Sequence, residues 1–440
     1  MLEPIVALAT PPLKSALAVI RISGDGCFDV VSKMFSRKIS FEGRNKIFVG
    51  DILDGQEIVD EVVLLAYKNP YSFTGEDSIE IICHGSIVIA NQIVALAIKN
   101  GCRYAVNGEF TNRAFLNKKM DLIEAEAVND VINATSIEAK KLSLMSLKGK
   151  TTSLVEPIRV KIADILSLIE VNIDYPEYED IEVVTKEKII EDLSKIAAEL
   201  QLLIKNGYKG NIIKDGVKVA IVGKPNAGKS SILNALLNED KAIVTSIPGT
   251  TRDVVEGTLN VNGVTLFFKD TAGIRESEDI VENAGILKSK QAIDECDLVV
   301  YVVDSTDDNE DLEIVEMIKN KNVIKVYNKN DLSDVNKEDG ISISALNKNI
   351  ESLKNEIYKN LNLTEENYTN PSINNMRDLG LLEKIAKELE IAVNLAKRDC
   401  SLDIISINLT NAFNLVKELI GLSNDLDISQ EIFSRFCVGK

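Results

Sequence analysis

Hydrophobic and polar positions are spaced differently in three stretches of the chain. Up to about residue 118, short apolar runs (IVALA, LAVIRIS, EVVLLAY, SIEIIC) are separated by turn signals such as PP, SGDG, LDGQ and NPYSFTG. That pattern predicts strands mixed with helices, an α+β domain. From about 121 to 205 apolar residues recur every three or four positions. This predicts amphipathic helices over DLIEAEAVNDVINATSIEAKKLSLMSLKGK, LVEPIRVKIADILSLIEVNI and KEKIIEDLSKIAAELQLLIK. DYPEYED (174–180) breaks the run and predicts a loop, since proline cannot continue a helix. From 216, apolar runs (VKVAIVG, TLFFKDTAG, LVVYVVDS, VIKVYNKND, ISISA) alternate with helical segments. Near-continuous apolar strands of this kind belong to a parallel sheet covered on both faces. After the polar connector TEENYTNPSINNMRD, helical spacing returns in LLEKIAKELEIAVNLAKR and INLTNAFNLVKELIG.

The helical texture therefore brackets the α/β block, which predicts one helical domain interrupted by an inserted domain. The expected boundaries are 1–118 for the α+β domain, 119–215 and 372–440 for the two helical parts, and 216–371 for the insertion. A length of 440 residues suits about three domains. The net charge of −18 excludes a chain-wide basic footprint for nucleic acid, so any such contact must be local or come through a partner. The single histidine, His84, excludes a multi-His metal cluster and argues against a His-dependent triad; it is expected as a satisfied pocket-wall residue. Six scattered cysteines without a CxxC pair point to a reducing compartment. Glu3, Lys14 and Arg21 interrupt the N-terminal apolar stretch, and no segment approaches ~20 apolar residues, so a cytoplasmic protein with no membrane span is expected.

Candidate chemistry is concentrated in the insertion. GKPNAGKS (223–230) follows the run VKVAIV and opens the segment SSILNALLN, a G-x-x-x-x-G-K-S loop in a strand–loop–helix context. Gly223 and Gly228 let the backbone curl so that its N–H groups face phosphates at the helix's positive end. Asn226, Ala227, Gly228, Lys229, Ser230 and Ser231 are the candidate contacts, with Lys229 on the β- and γ-phosphates and the Ser230 hydroxyl on magnesium. DTAG (270–273) ends the run TLFFKD, placing Asp270, Thr271, Ala272 and Gly273 by the metal and γ-phosphate. NKND (328–331) supplies Asn328, Lys329 and Asp331. The Asp331 carboxylate can accept from guanine N1–H and its exocyclic amine, which adenine cannot offer, so it selects GTP over ATP. Ser344 and Ala345, in SAL, fit a further guanine-contacting turn. TSIPGTTRD (245–253) lies where a switch loop belongs, with Thr245, Ser246, Ile247, Pro248, Gly249, Thr250 and Thr251 as nucleotide contacts. Thr251 is the candidate second hydroxyl for magnesium. Ile274 stands where Ras-like enzymes carry a water-orienting Gln, so another group must supply that contact and a countercharge.

With GKPNAGKSSILNALL, TSIPGTTRD, DTAGIRE, the inserted α/β block and the terminal FCVGK, the chain resembles the bacterial tRNA modification GTPase family MnmE (TrmE) over its full length. IVALATPP, RISG, NPYSFTGED, GEFTNRAFLN and KMDLIEAEAV resemble that family's folate-binding domain and the start of its helical domain. The resemblance implies an N-terminal folate-binding domain, a discontinuous helical domain and an inserted Ras-like G domain. It implies a homodimer that acts with a flavin- and NADH-using partner, MnmG (GidA). Together they add a carboxymethylaminomethyl or aminomethyl group at the wobble uridine of certain tRNAs, with a tetrahydrofolate derivative as one-carbon source. Hydrolysis would depend on potassium and on pairing of two G domains. Asn226, Thr245, Ile247 and Thr250 match the potassium ligands, and Glu282 in EDIVENAG matches the residue that orients the attacking water. Arg21, Glu80 and Lys119 match the folate contacts, and Lys440 is expected in the same pocket. Cys437, in FCVGK, is either a reactive thiol near the one-carbon unit or a small packed residue. A potassium-dependent GTPase switch in ribosome assembly is the competing reading; it calls for a basic RNA-binding appendage, and neither a basic tail nor a KH-like GXXG patch is found.

Overall fold

A computed structural model describes residues 3–39, 44–175, 185–239, 255–269, 290, 292–307, 311–332, 339–347, 349–422, 432–434 and 436–439. They form two compact units: residues 1–129, 147–167 and 409–440 in one, 130–146 and 168–408 in the other.

The first unit is built on a six-stranded sheet of β1 (Ile5–Leu8), β2 (Leu17–Ser23), β3 (Asn45–Asp54), β4 (Glu57–Tyr67), β5 (Ser78–His84) and β6 (Arg103–Tyr104), in the order β3-β4-β5-β2-β1-β6. Only β1 and β6 pair in parallel. One face carries Ile20, Ile22, Ile52, Leu64, Ile79 and Ile81 and packs on α1 (Cys27–Ser32) and α2 (Ile87–Lys99) through Val30, Val31, Ile93 and Ala97. Strand side chains alternate between faces, so Arg21 and its cross-strand partner Glu80 project from the opposite face. There α3 (Glu109–Leu116) sets Phe110 against Ile5 and Ala7. The C-terminal segment returns to this unit: Phe433 and Phe436 join Phe115, Leu122 and Ala125 in an apolar cluster.

Helices α4 (Leu122–Asn133), α5 (Ile137–Leu147) and α6 (Thr152–Asp174) follow. Then α7 (Lys186–Asp215) runs beyond the expected end at Lys205. It buries Ile189, Leu193, Ile196, Leu200 and Ile204 on one stripe. Gly207 and Gly210 let the backbone of the following segment come close; a Cβ on Gly207 would lie 2.3 Å from Ile373 O. The facing helix is α12 (Met376–Lys397), capped by Asn375, whose side chain accepts from Arg377 N.

The second sheet holds β7 (Val217–Val222), β8 (Val255–Val261), β9 (Val264–Lys269), β10 (Leu298–Asp304), β11 (Val323–Asn328) and β12 (Ile341–Ser342), in the order β12-β11-β10-β7-β9-β8. All neighbours are parallel except β8 and β9. With α8 (Lys229–Glu239), α9 (Leu312–Ile318) and α10 (Glu351–Asn360) it forms the expected doubly covered layer; α11 (Glu366–Thr369) and α13 (Leu402–Leu419) complete the element list.

Candidate functional site

Strand β7 delivers the chain into the loop 223–228 at its carboxyl end, where ligands of parallel sheets bind. Gly223 passes so close to β10 that a Cβ would lie 2.2 Å from Val302 O. Asn226 takes φ 62° and Gly228 φ 94°, the left-handed turns that fold the loop back on itself. Lys229 Nζ spans the loop from inside, donating to Gly223 O and Lys224 O at 2.8 Å each. Burial pushes its ammonium below the usual lysine range. Asn226, Ser230 and Ser231 are exposed, the two serines in the first turn of α8. A desolvated ammonium held by two carbonyls, beside an exposed hydroxyl and the free N–H groups of a helix start, fits a phosphate chain with magnesium.

The segments expected to read the base meet this loop. Asn328 Nδ2 donates to Ala227 O at 3.0 Å, and Ala345 N donates to Asn328 Oδ1 at 3.1 Å. Ser344 Oγ donates to Asp331 Oδ1 at 2.5 Å, leaving the second carboxylate oxygen free of that bond. Lys329, at φ 65°, pairs with Asp304 Oδ2 at 2.6 Å. Burial pushes the Asp304 carboxyl up, but hydrogen bonds from Lys329 and Thr306 outweigh it and hold it below the usual range. Asp304 was not foreseen from the sequence. Thr245, Ser246, Ile247, Pro248, Gly249, Thr250, Thr251, Asp270, Thr271, Ala272, Gly273, Ile274, Glu282 and Lys440 lie outside the described residues.

A second site opens in the first unit, on the sheet face carrying Arg21. A cavity of about 190 Å³ is lined by Arg21, Tyr67, Tyr71, Phe73, Thr74, Ser78 and Glu80. Arg21 meets Glu80 Oε1 through Nε at 2.9 Å and Nη2 at 2.8 Å, and Nη1 donates to Gly439 O at 3.0 Å. The guanidinium lies 5.6 Å from the Phe73 ring centroid and 5.7 Å from that of Phe110. Burial and the adjacent Glu80 carboxylate push the Tyr67 phenol above its usual range. Polar and aromatic walls with one fixed carboxylate and one fixed guanidinium fit a planar, hydrogen-bonding bicycle with an anionic tail. Lys119 is exposed and donates to Pro70 O at 2.9 Å, beside Tyr71. Cys437 is exposed, two residues before Gly439. His84 departs from expectation: it pairs with Asp60 at 2.7 Å on the surface and does not line the cavity, because it is the last residue of β5, paired with Leu17 and four positions along the strand from Glu80.

The MnmE helical domain profile matches residues 122–437, and that of the GTP-binding protein TrmE N-terminus matches residues 4–119. The chain belongs to the MnmE family. It is 41% identical to the tRNA modification GTPase MnmE of Mesoplasma florum, covering 100% of this chain and 99% of that protein. It is 41% identical to that of Ureaplasma parvum, covering 100% of both. The MnmE of Thermotoga maritima is likewise 41% identical, again over 100% of both chains. As a family member the chain is a tRNA modification GTPase with an N-terminal TrmE domain, a helical domain and a Ras-like G domain. GTP and magnesium follow from that activity. Among the described residues no helix is long and apolar enough to cross a membrane.

Proposed function

We propose that this chain hydrolyses GTP in a potassium-dependent manner as a homodimer. With a flavin-dependent partner of the MnmG type, it adds a carboxymethylaminomethyl or aminomethyl group at the wobble uridine of certain tRNAs, taking one carbon from a tetrahydrofolate derivative. Its G domain spans 216–371, inserted between helical parts 119–215 and 372–440 and preceded by the folate-binding domain 1–118. Lys229 would neutralise the β- and γ-phosphates, Ser230 and Thr251 would hold magnesium, and Asp331 would read guanine. Asn226, exposed at the crest of the loop, would hold potassium with Thr245, Ile247 and Thr250, supplying the positive charge that other GTPases obtain from an arginine finger. Glu282 orients water in place of the glutamine that Ile274 displaces.

The observation that carries this reading is the coexistence of two features in one chain: a G-x-x-x-x-G-K-S loop tied to the loop of Asn328 and Asp331, and a separate cavity built on Arg21 and Glu80 with the C-terminal segment at Arg21. A nucleotide switch alone has no use for the second. Modification is assayed with the full chain, its partner, GTP, a tetrahydrofolate donor and unmodified tRNA, scoring the nucleoside by mass spectrometry. Arg21→Ala is expected to cut product at least about tenfold, since charged hydrogen bonds contribute roughly 1.5–3 kcal/mol each, while GTP turnover stays intact. Equal product from the variant contradicts the folate assignment.

A further inference from the structure

The rim of the Arg21–Glu80 cavity carries groups that GTP hydrolysis does not use. On one side the Arg44 guanidinium lies over the Tyr71 ring, 4.3 Å from its centroid, and both residues are exposed. On the other, Lys119 reaches Pro70 O, which brings the segment 117–119 to the same rim. Its neighbour Lys118 is exposed and takes φ 57° at the end of α3. Lys118 N donates to Phe115 O and Lys119 N to Ala114 O, both at 2.9 Å, so Lys118 holds the left-handed position after a helix that glycine occupies without strain. A lysine kept there against backbone preference points to a use for its side chain.

The turn 148–150 lies against the start of α4, which begins three residues after Lys119. Asp121 N donates to Glu124 Oε2 at 2.9 Å, and Gly149 lies against that carboxylate, a Cβ there being 3.0 Å from Oε1. Lys148 and Lys150 flank Gly149 and are exposed. The two nearby carboxylates are engaged locally: Asp121 accepts from Thr152 Oγ1 at 2.6 Å and from Glu124 N at 2.8 Å, and Glu124 caps the same turn. Among the described residues no carboxylate forms an ion pair with Lys118, Lys148 or Lys150. In a chain of net charge −18, Lys118 at the rim and Lys148 and Lys150 by the start of α4 are three exposed ammonium groups with no carboxylate partner among the described residues, on the same unit as the exposed Tyr71–Arg44 pair.

We propose that this rim is the docking surface for the RNA substrate: the backbone of a single-stranded loop lies over Lys118, Lys148 and Lys150, and an unstacked base lies on the Tyr71–Arg44 pair. Single-stranded RNA is recognised by stacking splayed bases on aromatic rings and guanidinium planes while ammonium groups neutralise phosphates. The placement brings the target base to the mouth of the proposed one-carbon cavity. The inference rests on the tRNA-modification reading and adds where the RNA lies.

The test measures binding of an unmodified tRNA transcript to the full chain across a salt series. The K118G/K148Q/K150Q variant is expected to bind at least about tenfold more weakly, with the slope of log K against log salt flattened by about two, since each single-strand phosphate contact contributes ~0.7. Lys118→Gly alone should weaken binding severalfold while leaving the melting temperature equal or higher, which a structural role for that lysine would not do. Tyr71→Ala should lower affinity about fivefold or more with the salt slope unchanged. Wild-type affinity and slope in the triple variant overturn the proposal. So does a triple variant that loses only polyglutamyl-folate binding, which would assign the lysines to the folate tail. A wild-type chain that binds no tRNA at any salt overturns the tRNA reading itself, and this surface with it.

Discussion

On the proposed reading, Asp331 decides which base enters the nucleotide site. Ser344 fixes one carboxylate oxygen, and Asn328 ties the Asp331 loop to the phosphate loop through Ala227, so the carboxylate is presented in one orientation. Asp331→Asn replaces an acceptor by a donor opposite guanine N1–H and its amine. GTP affinity is expected to fall by about a hundredfold or more, the scale set by leaving a buried polar group mispaired, and xanthosine triphosphate should become the better ligand. Equilibrium binding of the two nucleotides checks it, and unchanged GTP preference contradicts the assignment. Asn328, Lys329, Asp331 and the phosphate-loop residues were legible in the sequence because their chemistry depends on spacing along a few consecutive positions. Asp304 was not, because it acts through Lys329, 25 residues away. Tyr67 and Tyr71 stayed hidden for the same reason: turn and strand residues reveal a shared cavity only once the sheet register is known.

Among the elements, α4 and α7 are joined by a largely buried salt bridge. Lys214 Nζ lies 3.2 Å from Asp130 Oδ2, with side chains 10% and 20% exposed. Burial pushes the Asp130 carboxyl above its usual range, and Lys214 pulls it part of the way back. Lys214→Met strands the carboxylate and should cost roughly 3 kcal/mol near neutral pH, read as a lower melting temperature. A folded-state pKa raised above the unfolded value means that the folded form binds the proton more tightly. The loss should therefore shrink as pH falls through the raised folded-state value toward about 4, the ordinary carboxylate range. An equal loss at acidic and neutral pH contradicts this account. The helical period gave away the apolar stripe of α7 but not its last ten residues, where Gly207 and Gly210 look like breakers in sequence and serve as contact points in three dimensions. Strand β3 was missed because Ile47, Phe48 and Val49 are apolar in a row and show no alternation, although Ile47 and Val49 stay exposed while Phe48 packs on the core.

At the scale of the whole molecule, one chain carries a phosphate-type loop in one unit and a separate cavity around Arg21 and Glu80 in the other. Helical texture stands on both sides of the strand-rich block in the structure as in the sequence, α4 to α7 before the second sheet and α12 and α13 after it. The proposed link between hydrolysis and modification is not legible in the sequence, because on this reading it depends on how subunits meet. The central claim is that a potassium ion at Asn226, completed when two G domains pair, replaces the absent arginine finger. The most direct measurement is GTP turnover by the full chain in potassium against sodium, with particle mass followed by light scattering, for wild type and Asn226→Ala. The account predicts stimulation of about tenfold or more by potassium in the wild type, accompanied by association in the presence of a transition-state analogue. It predicts loss of both in Asn226→Ala with GTP affinity retained. Equal turnover in the two salts, or potassium stimulation that survives in Asn226→Ala, contradicts it.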